Sequence, residues 1–80
     1  MIPIAFIDTE IDPKTKKILD IGSTRNNGDS FHNASVLAFI SFIKGAGYVC
    51  GHNILNHDIK YIGHALNEAG ISQANIIDTL

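Results

Sequence analysis

The amino-acid sequence predicts a mixed α/β fold with the element order β-β-β-α-β-α-β. Three short segments with strand character come first, and helical patterns then separate the later strands. Strands joined by a tight turn pair antiparallel, whereas strands separated by a helix usually pair parallel. The sheet is therefore expected to contain both kinds of pairing.

The first half of the chain predicts three strands. Residues 2–7 form a nearly unbroken apolar run, which is typical of a strand buried on both faces. A loop containing Asp12-Pro13-Lys14 leads to a second strand at 17–24. Asn26-Asn27-Gly28-Asp29 contains Asn-Gly, a strong signal for a tight hairpin turn. A short third strand at 30–32, antiparallel to the second, is expected to follow.

The second half predicts two helices and two strands. Asn33 is a suitable N-cap for a helix over 34–44, and Gly45 is a suitable end. The remaining elements are a strand at 48–51, a helix that ends near residue 69 before Gly70, and a strand at 75–79. The first helix is apolar on more than one face, so it is either sandwiched or covered by further chain.

Composition sets limits on the class of protein. With 80 residues, 45% hydrophobic and 18% charged, the chain is expected to be one globular domain spanning residues 1–80. The single cysteine, Cys50, excludes an intramolecular disulfide and the usual structural zinc sites, and it is expected to be inert core. A cytoplasmic, reducing setting fits this cysteine content. No apolar run approaches the ~20 residues of a membrane helix, so no membrane partner is expected.

The charge balance bears on nucleic-acid binding. A net charge of −2 argues against a protein that holds nucleic acid through a basic surface alone. It does not exclude a nuclease, because bound divalent metal ions can supply the positive charge.

Two acids, Asp8 and Glu10, stand at the end of the first predicted strand. Side chains alternate along a strand, so both carboxylates project from one face and Thr9 from the other. Adjacent acids at the carboxyl end of a central strand repel one another, and Mg²⁺ or Mn²⁺ with oxygen ligands is their usual stabilising partner. The alternative is a solvated Asp-Thr-Glu turn without a ligand.

A third acid, Asp58, belongs to the second helical pattern. It lies at the edge of the apolar stripe of that helix, so it is expected to approach Asp8 and Glu10 across the sheet. The alternative is an aspartate that interacts only with the helix dipole in the first turn. The stripe consists of Leu55, Ile59, Ile62, Leu66 and Ala69.

The histidines differ in their predicted positions. His57 and His64 fall opposite the apolar stripe and are expected to be exposed to solvent. His52 precedes the second helix close to the three acids, where it is a candidate substrate contact. His32 ends a short strand and carries no functional signal. No serine has a base at a recognisable spacing, so a nucleophilic triad is not indicated.

Three segments resemble the motifs of the DEDD 3′–5′ exonucleases, the superfamily of polymerase proofreading exonucleases and ribonuclease T. Phe6-Ile7-Asp8-Thr9-Glu10 is similar to the first motif, and Gly51-His52-Asn53 with His57-Asp58 is similar to the second. Ile77-Asp78-Thr79-Leu80 looks like the following strand, in which Asp78 has a structural position. The resemblance covers nearly the whole chain and implies the N-terminal part of a ribonuclease-H-like domain, truncated before its last helices.

The resemblance implies a two-metal mechanism with Mg²⁺ or Mn²⁺ on a single-stranded DNA or RNA 3′ end. Asp8 would bridge both ions, Glu10 would hold one and help to position the attacking water, and Asp58 would support the second. Thr9 and Asn53 would contact the terminal nucleotide.

The chain departs from this family in lacking its third motif, a His or Tyr general base followed by a final Asp. No His is followed by Asp five positions on, and no Tyr by Asp four positions on. Loss of a general base alone costs roughly 10²–10⁴ in rate. The chain alone is therefore expected to be inactive or nearly so, as part of a larger polypeptide.

Two other functions stay open. One is a non-catalytic module that binds nucleic acid or protein, and the other is an unrelated α/β domain with a chance Asp-x-Glu. Residues 48–58 are also similar to exonuclease-like domains fused in front of RecQ-type helicases, so a helicase is the expected fused partner.

Overall fold

A computed structural model describes residues 3–79 of the chain. Its elements follow the predicted order, with one additional 3₁₀ turn before the last strand. The strands are β1 (Ile4–Ile11), β2 (Ile18–Arg25), β3 (Ser30–Asn33), β4 (Tyr48–Gly51) and β5 (Ile76–Asp78), and the helices are α1 (Val36–Ile43) and α2 (Ile59–Glu68).

The strands form one mixed five-stranded sheet in the order β3-β2-β1-β4-β5. β1 lies at the centre, antiparallel to β2 and parallel to β4. Of the outer pairs, β2 and β3 are joined by a tight turn and are antiparallel, whereas β4 and β5 are separated by a helix and are parallel. The predicted mixed α/β sheet is confirmed.

One face of the sheet, here called the covered face, packs against both helices. Strand residues of β1, β2 and β4 meet apolar residues of α1 and α2 there, and the core lies between the two layers. The opposite face, called the uncovered face, leaves Phe6 and Ile77 exposed. The buried core residues are Ala5, Ile7, Ile21, Phe39, Ile43, Val49, Ile54, Ile62, Ala65, Leu66 and Ile71.

Strand β1 differs from its prediction in burial and in length. Ile7 and Thr9 point to the covered face, whereas Phe6 points to the uncovered face, so burial on both faces is wrong. The strand also continues through Asp8 and Glu10 to Ile11. Cys50 is paired with Phe6 and is only half-buried, so it is not a core residue as predicted.

The helices begin later than predicted. The N-cap of α1 is Ser35, whose Oγ accepts a hydrogen bond from Ala38 N–H at 3.2 Å, while Asn33 Oδ1 accepts from Ser35 N–H at 2.8 Å. Helix α2 begins at Ile59, because residues 52–58 form turns. Leu37 is 78% exposed, so the sandwiched arrangement does not hold for that side of α1.

The loops between β1, β2 and β3 are ordered by local hydrogen bonds. At the predicted Asn-Gly turn, Gly28 has a φ of 99° and donates its N–H to Arg25 O at 2.9 Å. In the first loop, the backbone N–H groups of Thr15 and then Lys14 hold the pKa of the Asp12 carboxyl below its ordinary value. The hairpin prediction is confirmed.

Gly51 is required where β4 passes β1. A Cβ at this position would lie 2.9 Å from the carbonyl oxygen of Ile7 and 3.1 Å from Ile54 Cβ. Gly51→Ala is expected to lower the free energy of unfolding by about 1–3 kcal/mol, because buried backbone must shift. Urea denaturation measures this change.

Gly63→Ala in helix α2 is the matched control. Its new methyl group would approach Ile59 Cγ1 no closer than 3.6 Å. Alanine favours a helix over glycine by up to about 1 kcal/mol, so this variant is expected to be as stable as the parent or more so. Equal destabilisation by both substitutions would contradict the packing account of Gly51.

Neither helix within residues 3–79 has the length and apolar character needed to cross a membrane.

Candidate functional site

The uncovered face contains a groove, here called the acidic groove, over the junction of β1, β2 and β3. Its volume is about 280 Å³. Three carboxylates and one imidazole line it, together with apolar side chains. The lining residues are Phe6, Ile7, Asp8, Glu10, Asp20, Gly22, Ser23, Thr24 and His32.

Asp8 and Glu10 project from β1 into this groove. Both are exposed, and they share one face because strand side chains alternate. Across the antiparallel pairing, Asp8 lies opposite Gly22 and Glu10 lies opposite Asp20. Within residues 3–79, neither side chain takes part in a hydrogen bond or ion pair. The predicted alignment of these two acids is found.

Asp20 and His32 form a pair that the sequence did not indicate. His32 Nδ1 lies 3.0 Å from Asp20 Oδ2, and the imidazole is 74% exposed. The ring rests on Gly22, where a Cβ would lie 3.0 Å from His32 Cε1. The pair depends on the register of the β2–β3 hairpin, which places His32 opposite Gly22.

Asp58 lies on the other side of the sheet from Asp8 and Glu10. It is 2% exposed, and its Oδ1 accepts a hydrogen bond of 2.7 Å from Thr9 Oγ1. Thr9 is itself buried on the covered face. The expected approach of Asp58 to the other two acids is therefore not found. Its contact instead ties the start of α2 to the middle of the Asp8-Thr9-Glu10 segment.

His57 extends the Thr9–Asp58 pair to the protein surface. Its Nδ1 lies 2.6 Å from Asp58 Oδ1, and its ring packs against Tyr61 with 5.8 Å between the ring centroids. The residue is exposed, as predicted, but the sequence did not indicate the bond to Asp58. Helical periodicity does not describe the position of His57, because this residue precedes α2.

Thr9→Val tests the bond between β1 and Asp58. Valine keeps the shape of threonine but removes the donor, which leaves a buried carboxyl group with one fewer partner. The free energy of unfolding is expected to fall by about 1–3 kcal/mol in urea denaturation.

Thr24→Val supplies the control for that prediction. Thr24 is exposed on the neighbouring strand β2, so its replacement is expected to change stability by less than about 0.5 kcal/mol. If Thr9→Val is no more destabilising than Thr24→Val, the hydrogen bond does not contribute as described.

The segment between β4 and α2 is held by Asp78 of β5. The Asp78 carboxylate accepts hydrogen bonds from Asn53 N–H and Leu55 N–H, each at 3.1 Å. Asn53 adopts a left-handed backbone with a φ of 56°. Asp78 thus has the structural position expected for it.

The predicted substrate contacts have different environments. His52 is exposed at the carboxyl end of β4. The Oδ1 atom of Asn53 is buried and has no hydrogen-bond partner among the described residues. The Thr9 hydroxyl is occupied by Asp58, so a contact between this hydroxyl and a nucleotide does not fit the structure.

The predicted metal ligands fit in part. Among residues 3–79, no group of three His, Cys, Asp or Glu side chains is arranged to hold a metal ion. Asp8 and Glu10 offer adjacent, unpaired oxygen donors, which suit one Mg²⁺ or Mn²⁺ that keeps several waters. Asp58 does not fit as the ligand of a second ion, because its carboxyl group is engaged on the covered face.

Comparison with solved structures identifies the fold. The chain is similar to the family B DNA polymerase from the hyperthermophilic archaeon Pyrobaculum calidifontis, with a TM-score of 0.70 and 13% identity. The likeness shows the fold. It covers 96% of this chain and 13% of the polymerase chain. No family model and no curated protein matches the sequence.

Proposed function

We propose that this chain is the part of a metal-dependent 3′–5′ exonuclease domain that carries its first two metal-binding acids. The observation that carries the proposal is the placement of Asp8 and Glu10. They stand side by side on the central strand, and neither has a partner within residues 3–79. The proposed substrate is the single-stranded 3′ end of DNA or RNA.

The charge of the acidic groove supports a cation at this position. Three carboxylates, from Asp8, Glu10 and Asp20, line a space of about 280 Å³. A phosphodiester would be repelled by this surface unless a cation lay between the two. A divalent metal ion offsets that repulsion, and carboxylate oxygens are the ligands preferred by Mg²⁺ and Mn²⁺.

The residues have distinct proposed roles. Asp8 and Glu10 would hold the cation, which when bound activates water and stabilises a leaving oxygen. Thr9 and Asp58 keep this part of β1 in place through their buried hydrogen bond. His52 and Asn53 lie in the turns after β4 and are the proposed contacts of the terminal nucleotide.

Two separate observations support the nucleic-acid assignment. The segments around Asp8, Asn53 and Asp58 are similar in sequence to DEDD exonuclease motifs, and the whole fold is similar to a segment of a DNA polymerase. The first observation depends on side-chain identity and the second on backbone geometry. Because the polymerase is only 13% identical, the two lines are largely independent.

A second candidate function is a non-catalytic nucleic-acid or protein interaction module, with a helicase as the proposed fused partner. The position of Asp58 favours it, because a carboxyl group committed to Thr9 and His57 is not available to a metal ion. This reading predicts binding of an oligonucleotide without cleavage.

A cleavage assay distinguishes the two functions. A DNA strand labelled at its 5′ end and carrying a 3′ overhang is incubated with the full-length protein that contains this part of the domain and with Mg²⁺ or Mn²⁺. The exonuclease proposal expects a ladder that shortens from the 3′ end, and a loss of roughly 10²–10³ in rate for Asp8→Ala. Glu68→Ala, at an exposed position at the end of α2, is the control and is expected to retain the parent rate.

The outcomes of this assay are separable. Binding without cleavage by the parent protein would favour the interaction module. Cleavage at equal rates by the parent and by Asp8→Ala would contradict the proposed catalytic role of Asp8 and Glu10.

A further inference from the structure

The loop between β1 and β2, residues 12–17 and here called the lysine loop, concentrates positive charge. Three of the chain's six Lys and Arg residues lie in it: Lys14, Lys16 and Lys17. All three are exposed, and within residues 3–79 none of their side chains takes part in a hydrogen bond or ion pair. The loop has three lysines against one aspartate, whereas the whole chain has a net charge of −2. Its charge is therefore opposite in sign to that of the rest of the chain.

Asp12 holds the lysine loop in one shape. Its carboxylate accepts hydrogen bonds from Lys14 N–H at 2.8 Å and from Thr15 N–H at 3.1 Å. Its backbone N–H donates to Lys17 O at 2.9 Å, and its carbonyl oxygen accepts from Lys16 N–H at 2.8 Å. The one acid of the loop is thus bonded to backbone N–H groups and not to a lysine ammonium group. A loop ordered in this way loses little conformational freedom when it binds a partner.

The backbone of Lys16 separates the charge of the loop from the needs of the turn. Lys16 adopts a left-handed backbone with a φ of 62°. Glycine and asparagine are the residues that favour this conformation. The turn therefore gives no structural reason for a lysine at this position, and the charge of the side chain is the better explanation.

The lysine loop projects from the sheet just beyond the acidic groove. The pairing of β1 with β4 stops at Phe6, whereas its pairing with β2 continues to Ile11. Asp12 follows Glu10 by two residues, and a strand advances about 3.3 Å per residue, so the loop begins about 7 Å beyond Glu10. The acidic groove and the lysine loop therefore lie one after the other along a single hairpin.

We propose that the lysine loop binds the phosphate backbone of a nucleic-acid strand whose 3′ end lies in the acidic groove. This inference rests on the proposed function for the position of the 3′ end. A strand that ends at Asp8 and Glu10 has its other phosphates on the 5′ side, so the lysines contact phosphates 5′ of the scissile one. Lysine binds a phosphate as a point charge, and phosphate contacts do not read the base sequence. The surface is expected to accept any sequence.

The groove beside the loop favours a nucleic acid over another polyanion. Asp8, Glu10 and Asp20 line that groove, and they repel an acidic protein as well as a phosphate. Mg²⁺ is commonly bound by one or two carboxylates together with phosphate oxygens of a substrate. A nucleic-acid strand offers such a phosphate at the groove and further phosphates at the lysines, whereas an acidic peptide offers carboxylates only.

Binding of a labelled oligothymidylate of about 12 nucleotides tests the surface without any need for turnover. Fluorescence anisotropy measures its affinity for the 80-residue chain at a fixed, low Mg²⁺ concentration. Each phosphate contact with a single strand contributes about −0.7 to the slope of log association constant against log salt concentration. The double variant Lys14→Gln with Lys17→Gln is expected to bind about 10-fold more weakly or worse at about 0.1 M salt, with a slope shallower by about 1.4.

The double variant Lys44→Gln with Lys60→Gln is the matched control. Both lysines are exposed and lie outside the loop, and each double variant removes two of the chain's positive charges. The control is expected to keep the slope of the parent and to bind within about twofold of it. Equal weakening in the two double variants would overturn the proposal, because general charge repulsion would then account for both. Amide NMR spectra check that both variants are folded.

A second measurement locates the strand on the protein. Nitrogen-15 amide spectra are recorded with thymidine 5′-monophosphate and, separately, with the oligothymidylate. The mononucleotide is expected to shift the signal of Gly22 in the groove, and the oligonucleotide to shift Thr15 and Lys16 as well. An oligoglutamate of the same charge is expected to leave the loop signals in place, and equal loop shifts with it would overturn the assignment to nucleic acid.

The outcomes separate this proposal from the proposed function. A shift of Gly22 with the oligonucleotide but none at Thr15 or Lys16 would overturn the lysine loop as the phosphate contact and leave the proposed function standing. Shifts at Thr15 and Lys16 without any at Gly22 would support the lysine loop and overturn the acidic groove as the place of the 3′ end.

Discussion

Asp8→Asn is expected to weaken Mn²⁺ binding by about 100-fold or more. The substitution removes one of two adjacent carboxylates that have no other partner within residues 3–79. Loss of a residue that merely orients a ligand weakens metal affinity by about 10–100-fold, so loss of a ligand itself should cost at least as much. Isothermal titration calorimetry of the parent and the variant measures the change.

The same variant should fold as well as the parent. Asp8 is exposed, and its neighbour Glu10 carries the same charge, so an amide at this position relieves repulsion. Glu68→Gln is the matched control, because it removes a carboxylate from the end of α2. An equal loss of affinity in Glu68→Gln would indicate unspecific attraction of the cation by the chain's negative charge.

Phe39→Ala is expected to lower the free energy of unfolding by about 3–5 kcal/mol. Phe39 is among the largest fully buried side chains and packs against Phe31 with 6.1 Å between the ring centroids. Domains are typically stable by only about 5–15 kcal/mol, so this loss would leave much of the protein unfolded. Urea denaturation followed by circular dichroism measures the loss.

Leu37→Ala is the control on the same helix. Leu37 is 78% exposed, so its truncation should change stability by less than about 0.5 kcal/mol. Similar losses in Phe39→Ala and Leu37→Ala would contradict the assignment of the covered face as the site of the core.

Much of the fold could be predicted because its signals are local. The Asn-Gly turn at Asn27-Gly28 specifies the β2–β3 hairpin, and the helices between later strands specify parallel pairing. The burial of β1 could not be predicted in the same way. Both helices pack on one face of the sheet, so within the described residues no second layer covers Phe6 on the other face. An apolar run in the sequence does not indicate on which face the helices pack.

Only the part of the site that depends on strand geometry could be predicted from the sequence. Alternation along β1 places Asp8 and Glu10 together whatever surrounds them. The placement of Asp58 rested on helical periodicity, but α2 begins at Ile59 and periodicity does not say which face of the sheet a flanking residue meets. The buried hydroxyl of Thr9 donates a hydrogen bond to Asp58, and helical periodicity does not predict this contact.

The Asp20–His32 pair was missed for a different reason. The two residues are twelve apart in sequence and meet only because the hairpin register places His32 beside Gly22. A shift of one residue would turn His32 to the other face. Asn-Gly indicates that a hairpin exists, but the pairing register decides which side chains share a groove.

Paramagnetic broadening by Mn²⁺ tests the central claim most directly. Mn²⁺ added at low occupancy to the nitrogen-15-labelled chain broadens the amide signals nearest to the ion. If Asp8 and Glu10 hold the cation on the uncovered face, Gly22 and His32 should broaden before Ile59 and Lys60, and Asp8→Asn should abolish the effect. Broadening centred on Ile59 and Lys60, or broadening that persists in Asp8→Asn, would contradict the account.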